Sequence, residues 1–340
     1  MTTFRPTRPP RGRLTRLGVV LDTRNAPGRL RETAAMCDGA GIDALWVRDH
    51  LSAPDGEPRL EAWTALTLAA TSAVRARVGA TLTAAFRPVG LLAAMAGTLD
   101  AALGGRLELA LSIEQVEREL GRFGLDAPGA EGAVSRVERY ARDLRTLLSG
   151  EPAALGGDSD AELGVASPQP GGPPISVEAS TSKQMDVAAR VADDVIIQAG
   201  AVSSVDDAVA LIREACVRSG RDPATLGIAL EVPVSIGRTR AEADARARGE
   251  ALFDAVGEPA QVGIFGTLEE CQDRVIRFAH AGVTDLRCVL PNNPDIHDVI
   301  AQVTAIAIGT VDVLAPGTPR SPYPDPPESW GGRTSRPAAG

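Results

Sequence analysis

The stretch Asp43-Ala-Leu-Trp-Val-Arg-Asp-His50 sets an acid–imidazole pair, Asp49-His50, at the point where an apolar strand should end. An imidazole with an ordinary pKa of about 6.5 exchanges protons near neutral pH, which suits it to general acid/base work. The chain has 3 histidines. His280 falls at a helix C-terminus, where its charge meets the helix dipole favourably, and His297 falls in an exposed last helix. No two of them stand at ligand spacing, so no metal site is expected. These residues alone leave a second reading open, a surface turn in which Asp49 caps the next helix.

Other chemistries find no support. Neither a Gly-x-Ser-x-Gly elbow nor a phosphate-binding Walker loop occurs, so hydrolase and nucleotide-hydrolase readings lapse. Cys37, Cys216, Cys271 and Cys288 are scattered without Cys-x-x-Cys spacing and read as small buried hydrophobes of a reducing cytosol. With 340 residues and 44% hydrophobic content the chain can bury a large core, although aromatics make up only 3%. The basic residues are almost all arginine, Lys183 being the sole lysine. A net charge of −9 argues against a general nucleic-acid binder. No apolar run approaches the roughly 20 residues that span a bilayer. Residues 1–16 are rich in Arg and Pro without a following signal-type apolar segment, and read as a flexible arm. A soluble, cytoplasmic protein is the expectation.

Strands and helices must alternate to hold such a pair in place. Apolar runs predict strands at 17–21, 44–47, 77–83, 107–113, 175–179, 194–198, 226–236 and 285–290. Helical spacing lies between them at 28–40, 61–72, 89–102, 114–123, 134–149, 183–191, 205–219, 240–256 and 267–281, and a terminal helix follows at 294–313. Thr267 with Glu270 closes a capping box. The Gly- and Pro-rich stretch 151–174 reads as a long loop. This alternation fits one (β/α)8 TIM barrel over 17–314 better than two domains, with a disordered Pro-rich tail at 315–340. Strand C-terminal ends carry the active site in such barrels. Asp22, after the first strand, and Phe86-Arg87, after the third, are therefore expected to line a substrate pocket beside His50.

The order of the segments carries a resemblance. Gly41-Ile-Asp-Ala-Leu-Trp-Val-Arg-Asp-His50, Ala62-Trp-Thr-Ala-Leu66, Arg75-Ala-Arg-Val-Gly79, Thr98-Leu-Asp100 and Gly104-Gly-Arg-Leu107 follow one another as in the luciferase-like family. Later landmarks are Pro173-Pro-Ile175, Met185 to Asp194, and Gly266 to Arg274. That family comprises bacterial luciferase-like flavin monooxygenases and deazaflavin (coenzyme F420)-dependent oxidoreductases. The resemblance implies an F420-dependent oxidoreductase acting on a small organic substrate (an alcohol, imine or activated double bond), with FMN as the alternative cofactor and a homodimeric assembly. By the same resemblance His50 is the acid/base and Glu114 its helper. Asp49, Thr83 and the run Ser180, Thr181, Ser182 and Lys183 would meet the cofactor, the last four at its phosphate. Two departures stand out: Ala179-Ser-Thr-Ser-Lys183 replaces the family's Gly-Gly or Ser-Gly-Pro after the fifth strand, where a Ser or Thr is equally expected as a helix N-cap, and Leu111 and Ile113 occupy places where the family has glycines beneath the ring. That substitution keeps open a degenerate barrel without flavin, acting as a ligand-binding or cofactor-independent protein.

Overall fold

The computed structural model describes residues 14, 16–51, 58–113, 117–125, 132–157, 160–248, 263–291 and 296–314, with side chains left out of the description at 117–119 and 307–314. Eight parallel strands close into a barrel: β1 (Arg16–Val20), β2 (Ala44–Arg48), β3 (Arg77–Thr83), β4 (Leu107–Ser112), β5 (Ile175–Glu178), β6 (Asp194–Gln198), β7 (Gly227–Ile236) and β9 (Asp285–Val289). Neighbours run β6-β5-β4-β3-β2-β1-β9-β7, and a β6–β7 pairing completes the circle. These are the eight strands the apolar runs predict. A short strand, β8 (Ile264–Gly266), adds to the far half of β7 at Val234–Ile236. Three residues are too few for a periodic signal, which is why the sequence does not announce it.

Crossover helices wrap the outside: α1 (Pro27–Gly39), α2 (Ala62–Ala70), α3 (Val89–Ala102), α4 (Glu117–Arg122), α5 (Ala133–Leu148), α6 (Ser182–Val191), α7 (Val205–Arg218), α8 (Arg240–Ala247), α9 (Leu268–Ala281) and α10 (Ile296–Leu314). The Thr267–Glu270 capping box opens α9 as the sequence predicts. Leu14 is already buried and Arg16 opens β1, so the ordered barrel starts just before the arm boundary inferred at residue 16. The tail 315–340 lies outside the described residues. All four cysteines are buried and unbridged. No described helix is long and apolar enough to cross a membrane, and no group of three or more His, Cys, Asp or Glu among the described residues is placed to hold a metal.

Alternation along each strand divides the chain between two cores. Leu17, Val19, Leu45, Val47, Val78, Ala80, Leu82, Leu107, Leu109 and Leu111 pack outward against the helices in one large cluster. Inward-facing Ala44, Trp46, Ala110, Ile196 and Ala229 form a second, separate one. In a tilted eight-stranded barrel each step to the next strand advances the level by one residue, so alternate strands supply the four side chains of a layer. Following the registers round the barrel by this rule returns to the starting residue and groups Val20, Thr81, Glu178 and Glu231 in one layer. Arg48, Ser112, Gln198 and Val289 lie in the layer above, and Trp46, Ala110, Ile196 and Arg287 in the layer below. Beneath Trp46 come Gly18, Gly79, Ser176 and Ala229. A Cβ on Gly79 would collide with the Trp46 ring, so the small residues make room for the large ones.

Charges occupy much of this interior. The Arg287 guanidinium lies 3.4 Å from the centroid of the Trp46 ring. Lower down, Glu108 accepts hydrogen bonds from Arg16 at 2.7 Å and from Arg77. Burial works against the Glu108 charge, but Arg16 and Arg77 outweigh it and hold its carboxyl at about 2, below the ordinary 4.5. A carboxyl depressed in the fold stabilises it fully above its unfolded pKa, and that contribution fades as pH falls from 4.5 through about 2. Glu108→Gln is therefore expected to cost about 3 kcal/mol at neutral pH, the order seen when a buried ion pair loses one partner. It should also flatten the acid limb of a denaturation-midpoint profile across that same pH window.

Candidate active site at the strand C-terminal ends

Strand β2 ends at Arg48 and leads into Asp49-His50, and each residue is handled differently. The Asp49 carboxylate is sealed from solvent; Arg87 donates to it at 2.5 and 3.2 Å, and the Thr83 backbone N–H donates at 3.2 Å. Asp49 also continues the strand ladder, its N–H donating to the Thr81 carbonyl at 3.0 Å. Arg87 reaches on to Glu61, whose carboxylate caps α2 by accepting from the Trp63 and Thr64 N–H groups. The Tyr140 hydroxyl of α5 donates to the Arg87 carbonyl at 3.0 Å. Burial raises the Asp49 carboxyl above its ordinary value, against the pull of Arg87 and Thr83. Burial also opposes the Arg87 charge, but Asp49 and Glu61 prevail and hold its pKa raised. The surface-turn reading of Asp49 thus fails: the carboxylate is enclosed, and Glu61 caps the next helix.

His50 follows, half-buried at the barrel mouth. Its expected helper Glu114 lies outside the described residues. Asp22 is mostly buried and engaged by Arg24 at 2.8–3.0 Å, so its charge is spent locally. Phe86 packs with Leu120 of α4, and Leu51 and Ala85 lean on them, which draws together the segments after β2, β3 and β4. Thr83 is buried at the end of β3.

The run Ser180, Thr181, Ser182 and Lys183 is exposed where β5 gives way to α6. Thr181 caps α6 in a capping box with Gln184. The Gln184 side chain reaches back to accept the N–H groups of Ser180 and Thr181 at 2.9 and 3.0 Å. Two of the amides expected to face an anion are therefore already used, and the Ser182 hydroxyl and Lys183 ammonium are the groups better placed for one.

Leu111 and Ile113 do not face the barrel. Both belong to the outer cluster, and β4 presents Ala110 and Ser112 inward. Leu111 and Ile113 therefore take no space inside the barrel, and the inner face of β4 carries small side chains. With an exposed α6 start carrying Ser182 and Lys183, and small side chains on the inner face of β4, the residues present are compatible with a flavin-type cofactor.

Sequence reasoning missed the floor beneath the mouth. Arg48 reaches across the barrel and donates through Nη1 to Glu178 at 2.9 Å and Glu231 at 2.5 Å. Gln198, on the intervening strand β6, donates to Glu178 at 2.8 Å. Burial resists ionisation of Glu178, but Arg48 leads the groups that hold its pKa down. The usable signal was a charged residue set inside an apolar strand, as at Glu108, Glu178, Glu231 and Arg287.

A family model described as luciferase-like monooxygenase matches residues 11–262. A 5,10-methylenetetrahydromethanopterin reductase from Methanolobus tindarius is 25% identical over 236 residues, 69% of each chain. Among solved structures, an F420-dependent secondary alcohol dehydrogenase in complex with an F420-acetone adduct superposes with a TM-score of 0.71 at 17% identity, covering 87% of this chain and 99% of that one. The oxygenating constituent of 3,6-diketocamphane monooxygenase from Pseudomonas putida, in complex with FMN, gives 0.68 at 15% identity over 86% and 97% of the two chains. The closed barrel and the family match over most of the chain agree: this chain belongs to the luciferase-like monooxygenase family and is an oxidoreductase.

Proposed function

We propose that the protein is an F420-dependent oxidoreductase that moves hydride to or from a small organic substrate, with His50 as the proton-transferring group. The observation that carries this reading is the enclosed Asp49. Held by Thr83 and Arg87, it anchors the chain just past the end of β2, one residue before His50. When bound, the deazaflavin would supply or accept the hydride. An imidazole nitrogen of His50 would take the proton from a substrate hydroxyl in oxidation, or return it in reduction. Because the Asp49 carboxylate is sealed, it acts by position and not by contact. Ser182 and Lys183 would meet the cofactor phosphate at the start of α6, where the helix dipole adds to their attraction. Glu114 is retained as the helper of His50 on the resemblance alone. The FMN branch stands second, supported by the likeness to the FMN-bound monooxygenase component.

Titration of the purified protein with F420 and, separately, FMN decides between these. Micromolar affinity for F420 supports the proposal, affinity for FMN alone moves the protein to the monooxygenase branch, and binding of neither returns the cofactor-free barrel. Lys183→Ala should weaken cofactor affinity about tenfold, or about 1.4 kcal/mol. His50→Ala should abolish turnover with cofactor affinity nearly unchanged; an active variant removes His50 from its role. Leu111→Ala should cost about 2–5 kcal/mol of stability without any gain in cofactor affinity, since its side chain packs against helices.

A further inference from the structure

Arg48 points inward at the last position of β2, two residues before His50, and Asp49 between them still donates its N–H to the Thr81 carbonyl. In the circular strand order β2 stands opposite β6, and Arg48 spans the barrel to Glu178 and Glu231 on the two strands that flank β6. Gln198 of β6 joins the same cluster through Glu178. The result is a crossbar under the mouth, made by residues 130 and 183 positions apart in sequence from Arg48. The carboxylates are the deeper members, with 9% and 7% of their side chains accessible against 21% for Arg48. Solvent therefore meets the guanidinium first and the carboxylates barely at all.

We propose that Arg48 is a positioning residue for His50: its crossbar to Glu178 and Glu231 sets both the inward face of the β2 end and the charge beneath the imidazole. This rests on the reading of His50 as the proton-transferring group. The outer side of the strand is tied by Asp49 to Arg87, so β2 is clamped from both faces just before His50 begins. In the crossbar one guanidinium faces two carboxylates, and Arg287 in the layer beneath is coupled electrostatically to Glu231; each carboxylate favours the imidazolium and each guanidinium opposes it. Around the mouth Asp22 pairs with Arg24, and Asp49 and Glu61 with Arg87, while Lys183 stands exposed at the start of α6.

The test is the imidazole titration of the full-length, cofactor-free protein, followed by NMR of its labelled histidines, with His50 assigned from the signal lost in His50→Ala. Glu231→Gln removes one negative charge and should lower the His50 pKa, whereas Arg48→Met removes the positive charge and should raise it, each by about half a unit. Arg48→Lys, which keeps the charge, should restore a value near that of the unaltered protein. His280 and His297 serve as internal references and should not move. Shifts of opposite sign confined to His50 support the proposal; an unchanged His50 in a folded Glu231→Gln protein, or shifts of the same sign, overturn it. Should Arg48→Met fail to fold, Glu231→Gln decides alone, a lowered His50 pKa supporting the proposal and an unmoved one overturning it. The readout needs no cofactor, so failure of the F420 reading and failure of this one are distinguishable.

Discussion

Charge compensation inside a closed barrel is the constraint on which the rest of this structure depends. Closure directs alternate side chains of every strand inward, and barrels of this kind usually fill that space with branched aliphatic residues. Here Arg16, Arg77 and Glu108 occupy the lower part, Arg287 stacks on Trp46 in the middle, and Arg48 binds Glu178 and Glu231 near the top. Such pairs recover a large desolvation cost only when geometry and partners are good, and apolar filling would often be at least as stable. The compensation is also incomplete. Thr81 Oγ1 and Glu231 Oε2 are buried without a hydrogen-bond partner among the described residues, a cost of about 1–3 kcal/mol for each such group.

Cohesion must then come mainly from the other side of the sheet. The belt between strands and helices is built from Leu, Val, Ile and Ala and is continuous around the barrel. It tolerates the aromatic-poor composition because many small, well-interdigitated residues fill space at the density of an interior. The charged column can therefore serve the site, by presenting a polar floor to whatever enters the mouth, while the outer belt carries the stability.

The site divides in the same way. Outward from β2, Asp49 joins Arg87, Glu61 and Tyr140 into one network that ties the segments after β2 and β3 to α2 and α5. Inward, Arg48 joins β2 to the far wall. His50 stands at the end of a strand held on both faces, the kind of support that keeps a reactive group within a narrow range of geometries. At α6, by contrast, the Thr181–Gln184 capping box shows local helix chemistry competing with ligand chemistry for the same amides.

By itself the sequence determined the alternation of strands and helices, the eight barrel strands and the place of Asp49-His50 at a strand end. These depend on short-range patterns: apolar runs of strand length, helical spacing and caps, all written within a dozen residues or so. Tertiary structure alone decided which way those strands face. A parallel strand buried on both sides reads as continuously apolar, so nothing local showed that Leu111 and Ile113 point to the helices while Ser112 points into the barrel. The same holds for Arg48. Its partners come from β5 and β7, and only closure of the barrel brings a guanidinium and two carboxylates so far apart in sequence to one point.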